Sequence, residues 1–251
     1  MKSSNPQIAT ITGAGRGSGK ATALKLGRSG KSLYITDFDS NLLEESLSDL
    51  KSEGIEATGG VFDSSDISNS KILIDSVIEH YGKLDILINN AGASKPNSFP
   101  EVSEENWEWN LNLNLKGPFF IMQEAAKHMI KQKSGCIINI ASISSSGGMT
   151  SSPSYAIAKS GVVTMTVTAA AYLAEHGIRV NAISPGIVDT HFHDEVKIKN
   201  PKVLESQINT IPLGRLAEPE DIASAISFLV SENSSYITGE VITVGGGKNR
   251  L

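Results

Sequence analysis

Short apolar runs rich in β-branched residues recur along the chain and alternate with longer segments that have helical periodicity. Such runs, bounded by glycine or polar positions, are typical of strands. The pattern predicts strands at 8–12, 32–36, 56–62, 84–89, 135–141, 178–183 and 240–244. It predicts helices near 18–29, 41–53, 67–81, 104–132, 154–176 and 218–231.

This alternation decides the expected fold class. Strand–helix–strand units place helices on the faces of a parallel sheet, and the nearly continuous apolar runs at 86–88 and 137–140 suit strands buried on both faces. We therefore predict an α/β fold, a Rossmann-type doubly wound seven-stranded parallel sheet flanked by helices on both faces. The length of 251 residues fits one large domain. Residues 187–212 lack strong periodicity, and we predict that they form a lid.

Composition excludes several classes of function. The chain has 22 basic and 27 acidic residues, and a net charge of −5 argues against nonspecific nucleic-acid binding. Cys136 is the single cysteine, so no disulfide forms within one chain, and this usage suits a reducing cytosol. The apolar stretch 161–174 is studded with threonine and shorter than the roughly 18 residues of a membrane span. We expect a cytoplasmic protein with no nucleic-acid or membrane partner.

A glycine-rich loop, Thr12-Gly-Ala-Gly-Arg-Gly-Ser-Gly19, follows the first predicted strand and opens the first predicted helix. Glycines allow a tight turn and let backbone N–H groups approach a pyrophosphate, whose negative charge the helix N-terminus favours. The loop therefore indicates a dinucleotide site, since the strand before it and the helix after it supply the required context. A simple strand–helix turn is the alternative interpretation.

Asp37, at the end of the second predicted strand, favours NAD as the cofactor. Its carboxylate can accept hydrogen bonds from both hydroxyls of an adenosine ribose. It would repel a 2′-phosphate by roughly several kcal/mol at an effective dielectric constant near 20. Arg16 acts in the opposite direction, but its side chain can swing into solvent. NADP is therefore the less favoured cofactor, and the alternative role for Asp37 is an Asx turn with residues 38–39.

Tyr155 and Lys159 are four residues apart on a predicted helix, so they share one face. A nearby ammonium group favours phenolate, which would bring the tyrosine pKa closer to the range useful for proton exchange with an alcohol. Ser142 ends the fifth predicted strand, where side chains point into the ligand crevice of an open α/β sheet. Its hydroxyl could hold the reacting oxygen. Ser144 and Ser145 are rival candidates for that role.

Together these residues resemble the classical short-chain dehydrogenase/reductase family, and the resemblance covers nearly the whole chain. The matching motifs are Thr12-Gly-x-x-x-Gly17-x-Gly19, Asn89-Asn-Ala-Gly92, Ser142, Tyr155-x-x-x-Lys159, Asn181, Pro185-Gly186 and Thr190. Their combination in this order is highly specific. The resemblance implies an NAD(P)-dependent alcohol dehydrogenase or ketone reductase, with residues 1–251 forming one dinucleotide-binding and catalytic domain. It also implies a homotetramer, with a homodimer as the alternative.

Roles are carried over from the family residue by residue. Tyr155 resembles the general acid–base, and Lys159 resembles the residue that lowers its pKa and holds the nicotinamide ribose. Ser142 resembles the residue that stabilises the reacting oxygen. Asn114 resembles the asparagine that supports a proton-relay water. Asn110 and Asn112 lie close by but lack the following Leu-Lys-Gly. The implied cofactor-binding residues are Gly13, Arg16, Gly17, Ser18, Gly19, Asp37, Phe38, Asp63, Ser64, Asn90, Ala91, Gly92, Tyr155, Lys159, Pro185, Gly186, Val188 and Thr190. Ser18 departs from the family, which usually has Ile or Leu there.

By family analogy, residues 93–98, 143–152 and 187–210 build the substrate pocket. The stretch 143–152 is small and polar, which suits a compact or hydroxylated substrate. We name Ser144, His191 and His193 as substrate residues, with a solvated lid as the alternative for the two histidines. No metal site is predicted, because the His191-Phe-His193 pair lacks a third spaced ligand. Trp107 and Trp109 are interpreted as core or helix-packing residues.

Three functions are therefore compared. The first is an NAD-dependent oxidoreductase that interconverts a secondary alcohol and a ketone on a small polyol, sugar or hydroxy acid. The second is an NADPH-dependent carbonyl reductase, such as a 3-oxoacyl-carrier-protein reductase, against which Asp37 argues. The third is a dinucleotide-binding protein without catalysis, against which the set Ser142, Tyr155 and Lys159 argues.

Overall fold

The computed structural model describes residues 6–147, 149–190 and 201–248. The strands are β1 (Ile8–Thr12), β2 (Ser32–Asp37), β3 (Ala57–Val61), β4 (Ile86–Asn89), β5 (Gly135–Ile140), β6 (Ile178–Pro185) and β7 (Val241–Val244). The α-helices are α1 (Gly17–Arg28), α2 (Ser40–Ser52), α3 (Ser68–Tyr81), α4 (Glu104–Leu111), α5 (Gly117–Gln132), α6 (Ser144–Gly147), α7 (Pro153–Leu173), α8 (Pro201–Ile208) and α9 (Pro219–Leu229).

The seven strands form one parallel sheet in the order β3-β2-β1-β4-β5-β6-β7. The predicted Rossmann-type fold is confirmed. The direction of winding reverses between β1 and β4, which are neighbours in the sheet although two strands separate them in sequence. Ligands of open α/β sheets bind at such a reversal, beyond the carboxyl ends of the strands.

The sheet is buried on both faces, as the continuous apolar strands indicated. In β4, Leu87 packs into one core cluster with Met129 and Val162. Its neighbours Ile86 and Ile88 pack into the cluster on the other face, which is completed by α1 and α9. All three β4 side chains are fully buried. Helices on both faces therefore hold β4 and its neighbours as a rigid base for the strand ends.

Three expectations need correction. The helix expected over 104–132 is interrupted by a π-helical turn, Asn112–Lys116, in which the N–H of Gly117 donates to the carbonyl of Asn112. The aperiodic stretch 187–212 contains helix α8, and residues 191–200 of the expected lid lie outside the described residues. Trp107 and Trp109 are not core residues, because each is more than a third exposed on α4.

One helix among the described residues, Pro153–His176, is long and apolar enough to cross a membrane by length and composition. It includes the 3₁₀ turn that follows α7, so it is longer than the apolar stretch noted in the sequence. Val162, Met165, Ala170 and Leu173 of this helix pack into the core under the sheet. Its apolar face is therefore explained by packing against the sheet, and the same helix presents Tyr155 and Lys159.

Candidate active site

Ser142, Tyr155 and Lys159 come together beyond the carboxyl end of β5. The Lys159 ammonium donates to the carbonyl of Ile140, the last residue of β5, over 2.7 Å. The same nitrogen lies 5.6 Å from the centre of the Tyr155 ring. The Ser142 hydroxyl acts on the Tyr155 phenol and lowers its pKa. The helical spacing of Tyr155 and Lys159 thus places both groups at one strand end, as the sequence indicated.

Burial dominates the protonation of this cluster. It raises the pKa of Tyr155, while the hydrogen bond from Ser142 lowers it. Burial also lowers the pKa of Lys159 to about 8. The expected net lowering of the Tyr155 pKa is therefore wrong for this arrangement, since burial raises this pKa by more than Ser142 lowers it. The phenol is the protonated form at neutral pH.

Ser144 lies behind Ser142. The hydroxyl and the N–H of Ser144 both donate to the Ser142 Oγ, over 2.9 and 3.2 Å. With two donors on its oxygen, Ser142 is left to donate its own proton toward Tyr155 or a substrate oxygen. The structure therefore places Ser144, named above as a substrate residue, in contact with Ser142.

Asn114 lies in the π-helical turn and is completely buried. Its Nδ2 donates to the carbonyls of Ala93 and Asn110, over 2.8 and 2.9 Å, and its Oδ1 accepts from the N–H of Ala93. A Cβ placed on Gly92 would lie 2.9 Å from the Asn114 Oδ1 and 3.2 Å from the Lys159 Nζ. Asn114 and Lys159 therefore meet at the backbone that follows β4, which fits a π-bulge at a functional site.

The glycine loop follows β1 and is held against the end of β4. The Asn90 Nδ2 donates to the carbonyls of Thr12 and Gly13, each over 2.9 Å, and the Thr12 Oγ1 accepts from the N–H groups of Asn90 and Ala91. A Cβ on Gly13 would lie 2.8 Å from the Ala91 Cα, and Gly13 also has a φ of +64°. Glycine is required at this position, because both space and backbone angle exclude a larger residue.

The loop leaves the start of α1 available to an anion. Arg16 occupies the N-cap position with an exposed side chain that makes no capping hydrogen bond. Gly17 and Ser18 form the first turn, and Gly19 packs against the carbonyl of Gly13 so closely that a Cβ would lie 2.1 Å from it. N–H groups at an uncapped helix N-terminus suit a pyrophosphate. These residues fit a dinucleotide.

Asp37 is the last residue of β2, and its side chain is buried. Its Oδ2 accepts from the N–H of Gly15 over 2.9 Å, and its Oδ1 accepts from the N–H of Asp39 over 3.1 Å. The Asx turn considered as an alternative is therefore present. Each carboxylate oxygen has further acceptor capacity, so the turn and a hydrogen bond to a ribose hydroxyl are compatible.

The remaining cofactor candidates surround the same crevice. Phe38 is 70% exposed beside Asp37. Asp63 accepts from the N–H and hydroxyl of Ser65, and Ser64 beside it is buried. Thr190 approaches the glycine loop, since a Cβ placed on Gly17 would lie 3.5 Å from the Thr190 Cγ2. The backbone leading to Thr190 is held by hydrogen bonds or bridges at Pro185, Gly186 and Val188.

His191 and His193 lie outside the described residues. Within the described ranges, no group of three or more His, Cys, Asp or Glu side chains could hold a metal ion. The sequence interpretation missed the Ile140 carbonyl as the anchor of Lys159 and the contribution of Asn106 and Asn110 beside Asn114. In the sequence, the only sign of the contribution of Asn106 and Asn110 is the repeat of asparagine every four residues at 106, 110 and 114.

Comparison with known proteins agrees with this geometry. A family model described as enoyl-(acyl carrier protein) reductase matches residues 13–249. The 3-oxoacyl-(acyl-carrier-protein) reductase FabG of Thermotoga maritima is 36% identical over 241 residues, which are 96% of this chain and 97% of that protein. The chain belongs to the short-chain dehydrogenase/reductase family.

Two solved structures of this family illustrate its range. NAD⁺-bound xylitol dehydrogenase superposes with a TM-score of 0.92 at 30% identity, covering 97% of this chain and 99% of that one. A variant of actinorhodin polyketide ketoreductase with NADPH superposes with a TM-score of 0.94 at 29% identity over the whole of both chains. The protein is an NAD(P)-dependent oxidoreductase that acts on CH–OH or ketone groups.

The burial of Lys159 predicts a pH-dependent stability. Its pKa is about 8 in the folded chain against 10.5 for an ordinary lysine, so between these values the unfolded chain binds more protons. The free energy of unfolding should therefore rise as the pH rises from 8 to 10.5, by up to about 3 kcal/mol from this residue. Lys159→Met should lack this increment.

Urea unfolding of the wild type and Lys159→Met at intervals between pH 7 and 10 measures the difference. Lys51→Met, at an exposed position on α2, gives the baseline for losing a lysine. A difference between wild type and Lys159→Met that stays constant over this pH range would contradict the assignment.

Proposed function

We propose that this short-chain dehydrogenase interconverts a secondary alcohol and a ketone with NAD as the preferred cofactor. The observation that carries the proposal is the cluster in which Lys159 is anchored at the end of β5 and lies 5.6 Å from the centre of the Tyr155 ring, while the Ser142 hydroxyl acts on the same phenol. The cluster lies beside Gly92, on the catalytic side of the crevice between β1 and β4.

A bound nicotinamide supplies the hydride acceptor for oxidation or the hydride donor for reduction. The protein supplies the proton chemistry and the positioning. Tyr155 donates its phenolic proton to a ketone oxygen, or accepts the hydroxyl proton of an alcohol once it is ionised. Ser142, fixed by Ser144, donates to the same oxygen. Lys159 places a positive charge close to the phenol, which favours the phenolate as it forms.

The dinucleotide site favours NAD. Asp37 is held by Gly15 and Asp39, so its charge cannot swing away from the ribose position. Arg16 is exposed, and its side chain makes no capping hydrogen bond. The resemblance to NAD⁺-bound xylitol dehydrogenase supports this preference, whereas the resemblance to a ketoreductase with NADPH does not.

For the substrate, we propose a small polar alcohol such as a polyol, a sugar or a hydroxy acid. The described walls near Tyr155 carry hydroxyls: Ser94 donates to Ser152 over 2.8 Å, and Ser144 lies behind Ser142. The likeness to xylitol dehydrogenase agrees with this class. His191 and His193 remain proposed substrate residues, and residues 187–212 a proposed lid of the single domain.

The second candidate activity is reduction of a 3-oxoacyl thioester. It is favoured by the 36% identity to the 3-oxoacyl-(acyl-carrier-protein) reductase FabG. The two classes are separated by one panel, in which NAD(H) and NADP(H) are each assayed with polyols, sugar acids and 3-hydroxyacyl or 3-oxoacyl thioesters. The class with the highest kcat/KM identifies the substrate.

We also propose a cytoplasmic homotetramer. It would assemble partly through the groove between helices α5 and α7, which we call the α5–α7 groove. Small residues, Gly161, Thr164 and Thr168, line this groove of α7 and let a second helix approach closely. Phe119 and Tyr172 add exposed apolar surface at its edges, 42% and 65% exposed. A second copy of the chain would cover these side chains, since exposed apolar patches of this kind mark association surfaces.

Tyr155→Phe should abolish turnover in the substrate panel while leaving dinucleotide affinity within about twofold, because only the transferable proton is lost.

For the wild type, alcohol oxidation should increase with pH, since burial raises the pKa of the Tyr155 phenol that must ionise to act as a base. Steady-state rates and NADH fluorescence titration measure both effects. Tyr236→Phe, at a fully exposed position, should match the wild type. Equal turnover in Tyr155→Phe and wild type would refute the catalytic role.

Asp37→Asn should reduce the preference for NAD over NADP at least about tenfold, because the repulsion of a 2′-phosphate is removed. The ratio of the two dissociation constants measures this effect. Asp39→Asn is the matched control, since it removes the same charge two residues away and keeps an oxygen that can cap α2. An unchanged ratio in Asp37→Asn would assign the selectivity to Arg16 or another group.

Thr168→Arg should convert the tetramer to smaller species, because an unpaired charge would be buried against a second copy. Sedimentation velocity measures the distribution of species. Ser48→Arg places the same charge on an exposed position of α2 and should leave the tetramer intact. A Thr168→Arg protein that sediments like the wild type would show that the α5–α7 groove is not an interface.

A further inference from the structure

Three asparagines, Asn106, Asn110 and Asn114, form a buried stripe along α4 and the π-helical turn. They are spaced four residues apart, so their side chains share one helical face. Each is at most 6% exposed. Three buried carboxamides in a row are costly unless each finds hydrogen-bonding partners. Their partners therefore show what the stripe does.

The partners are backbone groups of the segment 93–95, which follows β4 at the active site. Asn114 donates to the carbonyl and accepts from the N–H of Ala93. Asn110 pairs in the same way with Lys95, although both of these bonds are longer, at 3.4 Å. Asn106 adds a donor to the Lys95 carbonyl, over 3.0 Å.

This arrangement imitates a strand pairing. In an extended chain, the N–H and C=O of alternate residues point to the same side, and Ala93 and Lys95 are alternate residues. Two carboxamides one helical turn apart thus act as the partner strand for 93–95. Ser94 lies between the two pairs, and its hydroxyl donates to Ser152 on the opposite wall.

The stripe also reaches the catalytic helix. The Asn106 Oδ1 accepts from the Asn110 Nδ2 over 3.2 Å and from the Ser154 hydroxyl over 3.4 Å. Ser154 directly precedes Tyr155 at the start of α7. The main-chain carbonyl of Asn110 in turn accepts a hydrogen bond from the Asn114 Nδ2 over 2.9 Å. Hydrogen bonds therefore connect Asn114, the segment 93–95 and the start of α7 through Asn110.

We propose that Asn110, assisted by Asn106, is a positioning residue that fixes the wall 93–95 and the orientation of Asn114 relative to Tyr155. This inference rests on the proposed dehydrogenase function. Asn110 does not reach the reacting atoms, because its side-chain bonds go to Lys95 and Asn106. It acts on the reaction by holding the groups that do.

Asn110→Leu removes every side-chain bond at this position with an apolar residue of similar size. The expected result is a fall in kcat/KM of about 10- to 100-fold, since small displacements of positioned groups reduce turnover by such factors. Dinucleotide affinity should stay within about twofold, because the glycine loop and Asp37 bind on the other side of the crevice. Asn112→Leu is the matched control, since no hydrogen bond of its side chain is found within the described residues, and it should match the wild type.

Asn110→Asp supplies a readout that a purely structural residue would not give. As a carboxylic acid, Asp can still donate one hydrogen bond to the Lys95 or Asn106 carbonyl, but as a carboxylate it can only accept. Burial raises the pKa of such a carboxyl. The ratio of Asn110→Asp activity to wild-type activity should therefore be highest at low pH and fall as the carboxyl ionises, while circular dichroism shows the chain folded throughout.

Hydrogen exchange provides a measurement that does not depend on turnover. The amides of Ala93 and Lys95 should exchange faster in Asn110→Leu than in Asn112→Leu and wild type. Unchanged exchange at 93–95, or a flat pH ratio in Asn110→Asp, would overturn the inference even if the enzyme is active. A wild type without turnover on any alcohol or ketone would instead overturn the proposed function, and the exchange result would still decide the role of Asn110.

Discussion

The crevice depends on the hydrogen bonds that hold the carboxyl ends of β1 and β4 together. At the point where the sheet reverses its winding, the chain leaves β1 toward α1 and leaves β4 toward the catalytic helices. Thr12 and Asn90 bridge the two exits with side-chain bonds to each other's backbone. Because these bonds fix the glycine loop relative to Gly92, they also fix the dinucleotide side of the site relative to Tyr155 and Lys159.

The proposed catalytic side is built from buried polar groups whose partners are backbone atoms at the end of β5 or in the segment that follows β4. Lys159 is bonded to the Ile140 carbonyl, and Asn114 is bonded to Ala93. A carbonyl at the end of a strand has no partner in the sheet, so it can hold a side chain without disturbing the ladder. Burial destabilises the charged form of Lys159, which is why its pKa is lowered. This destabilisation accompanies any cation placed in the interior beside the phenol.

The proposed cofactor site and the proposed substrate wall are supported by different kinds of element, strands in the first case and helical side chains in the second. The glycine loop, Asp37 and Ser142 lie at the ends of strands that are buried on both faces. Among the described residues, no strand pairs with the segment 93–95, which is held by the carboxamides of α4 and the π-helical turn. The proposed substrate wall thus depends on a few helical side chains, whereas the proposed cofactor site depends on the sheet.

The sequence by itself determined the class of fold and the candidate residues of the site. The alternation of apolar strands and amphipathic helices, the glycine loop after β1 and the Tyr155–Lys159 spacing are local features, which the chain displays without knowledge of its partners. The direction of the Tyr155 pKa shift, the contact of Ser144 with Ser142 and the hydrogen bonds of Asn110 were decided only by the tertiary structure. Burial and hydrogen-bond partners come from segments distant in sequence: Ile140 beside Lys159, and the backbone of 93–95 beside a helix more than ten residues later.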